Sequence, residues 1–292
     1  MLLRVGLELA DRLLNALPAP AAYAIADLAG RAWYRLAPRR RRLVEANLGR
    51  VCAATGRPTR GRAWRALVRA AFIEHARYYL ELIRAPHYRP DQLDRIVVAD
   101  DWDHWGPILR GGAVIASAHL GNFEPYGSFL AAHGLHAVAP IEEIRPPELF
   151  EFLRSRRGAG ASTVEIIPIA RSRRRLMEAA RAGQVVGLIA DRDLDGDGVP
   201  VTLFDHPTTL PAGPAFLALS AGRPLLVARC LRRGRDRFHG LVWQIEVPDG
   251  LDRRSALRAM TAEMGARFEA AIAEAPEQWW GAFQPIWPDL RE

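Results

Sequence analysis

Residues 113–127 read AVIASAHLGNFEPYG: an uncharged apolar run ends at His119, a glycine turn follows, and Asn122 precedes a new stretch of mixed polarity. A short run of β-formers broken by glycine predicts a buried strand over 113–118. Asn122 is a good N-cap, so a helix is expected to begin beside it, with Glu124 in the first turn where the helix dipole favours an ionised carboxylate. A strand that turns straight into a helix is the building unit of α/β folds.

The same texture continues outward. Candidate strands lie at 96–99, 136–139, 164–169, 185–190, 199–204, 224–230 and 241–247, and helical patterns lie near 123–133, 147–157, 172–182 and 212–221, with a last helix at about 253–275. Alternation of this kind predicts a mixed α/β sheet covered by helices on both faces. Upstream the chain reads as helical. Leu3, Leu7, Ala10, Leu14 and Leu17 share one helical face and Arg4, Glu8, Asp11 and Arg12 another, which predicts an amphipathic first helix ended by Pro18. A long helix with a wide apolar stripe, from Trp64 through Phe72, His75 and Tyr79 to Ile83, closes at Pro86. No repeat or low-complexity linker divides the chain. The expected organisation is one unit over 1–292, with a mainly helical extension at 1–90 and an α/β core at 91–292.

Composition narrows the function class without choosing it. Of 292 residues 49% are hydrophobic and 25% charged, a balance that can pack a sizeable core. All 40 basic residues are arginine, and the net charge of +7 favours anionic partners: phospholipids, nucleotide-containing donors or nucleic acid. Cys52 and Cys230 have no Cys or His at ligand spacing, so neither a zinc site nor a disulfide framework is expected, and a reducing cytoplasm is the natural compartment. The longest uncharged stretch near the N-terminus, 13–26, is interrupted by two prolines and is shorter than the ~20 residues a spanning helix needs. A peripheral or soluble protein is expected.

His119 is followed five positions on by Glu124. On one regular helix that spacing would turn the side chains ~140° apart, so they can meet only if the chain bends between them. Gly121 supplies the bend. A carboxylate on one imidazole nitrogen leaves the other free to take a proton, which predicts His119 as general base and Glu124 as its orienting partner. Asp191, Arg192 and Asp193 follow the strand at 185–190, the end at which α/β sites form. Asp191, Asp193, Asp195 and Gly196 open like a calcium loop, but the twelfth position is Thr202 rather than Glu, so no metal is expected. Ser117 lacks the G-x-S-x-G setting of a hydrolase nucleophile. His75 reads as a core histidine. Trp279, Trp280 and Trp287 belong either to the core or to the rim of a cleft. An arginine-rich nucleic-acid binder is the competing class, but it leaves the HLGNFE turn unexplained and no recognised motif supports it.

The turn resembles the H-x-x-x-x-D/E motif of the glycerolipid acyltransferase superfamily. The wider chain resembles the branch holding the lipid A late acyltransferases and the phosphatidylinositol mannoside acyltransferases, through RRRRLVEANL at 39–48, IRPPELFEFLRSRRG at 144–158, DRDLDGDGVPVTLFDHPTTLPAGPAFLAL at 191–219 and PEQWWGAFQPIW at 276–287. The mannoside branch usually ends its motif in Asp. Glu124 stands here instead, as in the lipid A enzymes. The resemblance implies acyl transfer from acyl-CoA or acyl carrier protein to a lipid hydroxyl at the cytoplasmic face of a membrane, with no other cofactor and no covalent acyl-enzyme. It also implies a basic residue near the substrate head group, at Arg157, and an acidic residue that supports the histidine, either Asp191 or Asp193. The first helix and Arg39 to Arg42 would then dock the enzyme on an anionic surface.

Overall fold

A computed structural model describes residues 2–157 and 164–291, with the side chains of Leu2, Arg4, Val5 and Arg157 outside that description. Four helices open the chain: α1 (Leu2–Ala16), α2 (Ala19–Leu36), α3 (Pro38–Ala54) and α4 (Gly61–Arg84). Proline at the start of α2 and α3 is tolerated because the first turn has no intrahelical N–H bonds to lose. Helices α2 and α4 cross in backbone contact at Gly30, where a Cβ would stand 2.6 Å from the Cα of Ile73. The expected leucine face of α1 is divided. Leu7 packs towards Leu82, Phe152 and Leu153, and Leu14 and Leu17 pack on Ala22, Tyr23 and Leu80. Leu3 of that face remains exposed, as do Leu9 and Leu13, which lie off it. Asp11, on the expected polar face, is buried with Arg156 at 3.2 Å, because α1 lies against the core on that flank as well.

The α/β region runs α5 (Pro90–Ile96), β1 (Val97–Ala99), α6 (Trp102–Arg110), β2 (Val114–Ser117), α7 (Phe123–Ala132), β3 (Ala137–Ile141), α8 (Pro147–Arg157) and β4 (Val164–Pro168). It continues with α9 (Ser172–Arg181), β5 (Val185–Ile189), β6 (Val199–Leu203), β7 (His206–Leu210), α10 (Gly213–Ala221), β8 (Leu225–Arg232), β9 (Phe238–Ile245) and α11 (Arg253–Glu274). Seven strands form one mixed sheet in the order β1-β9-β8-β2-β5-β3-β4, in which β8 and β9 pair antiparallel and all other neighbours are parallel. Side chains alternate between the two faces. Val114, Ala116, Val227 and Leu231 join the core under α3, α4, α9, α10 and α11, while Ala113, Ile115, Leu226 and Ala228 join the core under α6 and α7.

One strand is absent from the sequence expectation. Residues 206–210 carry Pro207 and two threonines, too little apolar character to signal a strand, yet they pair antiparallel with β6 as a hairpin outside the main sheet. The turn is hidden for a second reason. It is made by Phe204 and Asp205 at φ 49 and 62, a conformation that sequence rules assign to Asn or Gly.

Candidate active site

Strand β2 sits centrally between β8 and β5, and its end delivers His119 to the edge of the sheet. The turn beyond it is pinned from several sides. Gly121 N–H donates to the carbonyl of Gln278 at 2.9 Å, Asn122 N–H to that of Cys230 at 2.8 Å, and Gly281 N–H to that of His119 at 3.1 Å. Gly121 has φ +62, and a Cβ there would lie 1.9 Å from the carbonyl oxygen of Cys230. Only glycine fits this approach. Asn122 caps α7 as expected, accepting from Glu124 N–H at 3.0 Å, so Glu124 does occupy the first helical turn.

Asn122 also anchors the turn to a buried charge network. Its Nδ2 donates to Glu81 Oε2 at 2.7 Å; Glu81 further accepts from the Tyr23 hydroxyl at 2.6 Å and pairs with the Arg232 guanidinium, which also reaches Glu74. The Gln278 side chain grips both backbone groups of Arg232, at 2.8 and 3.0 Å. Apart from Asn122, none of this network is among the residues the sequence points to. Its one signal there is Glu81, an acid inside an apolar helical stripe.

The partner of His119 is Asp191, at the end of β5 as strand order demands. His119 Nδ1 stands 2.5 Å from Asp191 Oδ1, and Asp191 Oδ2 accepts from the His119 backbone N–H at 3.0 Å and from the Trp279 indole at 2.8 Å. Asp191 is 1% exposed. Burial alone would push its carboxyl up, but the charge and hydrogen bond of His119 and the bonds from Trp279 and the backbone outweigh it and hold the group below the usual aspartate range. Glu124 does not take the orienting place assigned to it by spacing. The bend at Gly121 turns α7 so that Glu124 lines the adjoining cavity, where Oε1 accepts from the Tyr78 hydroxyl at 3.3 Å.

The remaining expected residues separate. Asp193 spends both oxygens closing its own loop and tying it to β7, accepting from Gly196 N–H, Gly198 N–H and the Thr209 hydroxyl at 3.0, 2.9 and 2.7 Å. Arg192 lines the cavity and pairs with Glu142. Arg157 ends α8, and its side chain and Gly158 lie outside the described residues. Trp279 and Trp287 are core, whereas Trp280 lines the cavity and packs edge-on against the His119 ring with centroids 4.5 Å apart. His75 is buried as expected, but its Nδ1 has no hydrogen-bond partner among the described residues.

The cavity beside His119 encloses about 380 Å³, within the range of small-molecule sites. It lies between the β2, β5, β3 and β4 half of the sheet and helices α4, α7 and α8, and Ala137, Ala139 and Gly187 keep its floor low. Its walls are mainly apolar, including Leu82, Ile115, Leu130, Ile166 and Leu188, and exposed Tyr79, Ile144, Ile169 and Leu194 rim it. An oriented imidazole at the mouth of an apolar cavity suits proton removal beside a bound hydrocarbon chain.

A family model described as bacterial lipid A biosynthesis acyltransferase matches residues 9–287. The chain belongs to that family. This lipid A acyltransferase family member is also 34% identical over 240 residues to the phosphatidylinositol mannoside acyltransferase of Mycobacterium tuberculosis, covering 77% of the present chain and 72% of the relative. Against the Mycolicibacterium smegmatis protein of the same name, identity is 32% over 229 residues, with 76% and 72% covered. The chain is therefore an acyltransferase. Among the described residues, no helix of this family member is long and apolar enough to cross a membrane.

Proposed function

We propose that this acyltransferase moves a fatty acyl chain from acyl-CoA or acyl carrier protein to a hydroxyl of a glycolipid such as a phosphatidylinositol mannoside, working peripherally at the cytoplasmic face of a membrane. The observation that carries the reading is His119, tied through Nδ1 to buried Asp191 and placed at the apolar cavity. With Nδ1–H donated to the carboxylate, Nε2 is the basic nitrogen. It removes the acceptor hydroxyl proton as the oxygen attacks the thioester carbonyl, and Asp191 balances the imidazolium that forms. Collapse of the tetrahedral intermediate breaks the C–S bond, and the departing thiolate takes the proton from Nε2. The ester product and free thiol leave His119 neutral. A thioester is reactive enough that no metal is called upon. Arg192 and Glu124 line the cavity, suited to polar parts of the two substrates rather than to the base itself.

The relatives' names favour the mannoside acceptor, and the exposed leucines of α1 with the exposed Arg39 and Arg42 favour a lipid surface. Purified enzyme with labelled long-chain acyl-CoA should acylate phosphatidylinositol mannoside faster than a lipid A precursor or a lysophospholipid. Preference for either of the latter would overturn the acceptor assignment, and absence of transfer to all three would overturn the reaction.

A further inference from the structure

Beside the Gly30 crossing, α2 and α4 part to leave a second space of about 390 Å³, away from the His119 cavity. It is lined by Arg31 and Arg35 of α2 and by Ala66, Arg69, Ala70 and Ile73 of α4. Three guanidinium groups thus share an opening with an apolar floor. Among the described residues none of the three side chains has a hydrogen bond or an ion pair. The contrast with their neighbours is direct: Arg77 on the same helix is held by Asp27 at 2.6 Å and Glu74 at 2.7 Å, and Arg84 caps the carbonyl of Leu14 at 3.0 Å. Like charges gathered without a carboxylate repel one another unless an anion joins them, and a phosphate matches the guanidinium fork.

The surface beside the cleft indicates what carries that phosphate. Ile25, Leu28 and Leu36 of α2 are 49%, 65% and 81% exposed, and Ala21, Ala24 and Ala29 are exposed too. At ~100° per residue the large three fall within a narrow arc, and Arg35 and Arg31 border it on one side. The helix therefore presents an apolar ridge edged by cations, the arrangement that lies in a bilayer interface with hydrocarbon on one side and phosphates on the other. Tyr79, at the rim of the His119 cavity, follows Arg69 by ten residues, about 15 Å along α4.

We infer that the cleft between α2 and α4 is a binding site for the phosphodiester of a bilayer glycerophospholipid, with Arg31, Arg35 and Arg69 on the phosphate and Ile25, Leu28 and Leu36 among its acyl chains. The assignment rests on the reading of the chain as an enzyme acting on membrane lipids, but it is tested by binding rather than by transfer. The measurement is co-sedimentation of the full chain with phosphatidylcholine vesicles, with and without phosphatidylglycerol. Substituting Arg31→Gln, Arg35→Gln and Arg69→Gln together should weaken partitioning to the anionic vesicles on the order of 100-fold, at about fivefold per basic residue. The charge-matched set Arg173→Gln, Arg174→Gln and Arg258→Gln, exposed elsewhere on α9 and α11, should leave most of the binding intact. Leu28→Glu with Leu36→Glu should reduce binding to both vesicle types. Arg35→Glu alone supplies the comparison if the triple variant does not fold.

Equal losses from the two arginine sets would overturn the site in favour of net charge. Release of the protein by inorganic phosphate, beyond the effect of chloride at equal ionic strength, would overturn the lipid in favour of a free anion. Transfer to detergent-dispersed acceptor should be unchanged in the cleft variant. A wild-type protein that binds vesicles through the cleft but transfers no acyl group would defeat the proposed reaction and leave this site standing.

Discussion

Asp191 Oδ1 lies 2.5 Å from His119 Nδ1, joining the end of β5 to the end of the adjacent strand β2. The two residues are far apart in sequence, yet parallel pairing of Ser117 with Ile189 brings the strand ends side by side. The carboxylate is buried, receives three hydrogen bonds and is held below its ordinary pKa, which favours its charged form beside the histidine. This is the relation that the proposed base and its orienting acid call for.

The turn that places the histidine should be intolerant of a side chain. Gly121→Ala would put a methyl group into the Cys230 carbonyl and demand a positive φ from alanine. Loss of about 3 kcal/mol in stability is expected, read as a drop in the urea midpoint. A midpoint within error of wild type would mean that the turn does not have this geometry.

Floor residues of the cavity should set acyl length. Gly187 faces it from β5, while neighbouring Val186 faces the opposite core. Gly187→Leu should lower kcat/KM for a long-chain donor by about tenfold or more while sparing a short-chain donor. Equal effects on both donors would place the chain elsewhere.

Acid stability should report on His75. Burial first, then the charges of His119 and Arg40, push its pKa down to about 3 from 6.5. Between those values the unfolded chain binds a proton that the folded chain refuses, so stability falls as pH drops, by up to about 1.4 kcal/mol per pH unit. The loss is complete only near the folded pKa. His75→Phe, set among Trp33, Tyr79 and Phe283, should show a shallower decline of urea midpoint between pH 6.5 and 4. Parallel declines would show that His75 does not carry this dependence.

The exposed and the covered leucines of α1 give separate predictions. Leu9→Glu with Leu13→Glu, both exposed, should weaken vesicle binding with little change in Tm, whereas Leu14→Glu should lower Tm by about 5 °C. The reverse pattern would show that the exposed leucines serve folding rather than docking.

Much of the fold was readable because its signals are local. Apolar runs bounded by glycine marked most strands of the main sheet, and Asn122 marked the start of α7 within one residue. Strand β6 was readable, but β7 and the hairpin turn were not, since Phe204 and Asp205 adopt left-handed conformations that only tertiary contacts impose on such residues. His119 was legible for the same reason as its strand. Its partner was legible only in part: spacing pointed to Glu124 and the resemblance left Asp191 and Asp193 open, whereas strand pairing decides which carboxylate is near in space. The Glu81, Arg232 and Asn122 network joins α4, β8 and the turn, elements whose proximity no spacing encodes. Trp280 differed from its neighbours Trp279 and Trp287 only once the cavity was visible.

The most direct test of the account compares kcat for Asp191→Asn, Glu124→Gln and His119→Ala, each confirmed folded by its melting profile. An asparagine at 191 would turn an N–H toward Nδ1 and hold the imidazole in the wrong tautomer, so its kcat should fall about 10³-fold or more, approaching the loss in His119→Ala, while Glu124→Gln should lose far less. A folded Asp191→Asn enzyme with near wild-type kcat, beside a Glu124→Gln enzyme as inactive as His119→Ala, would contradict the assignment of Asp191 as the partner of the base.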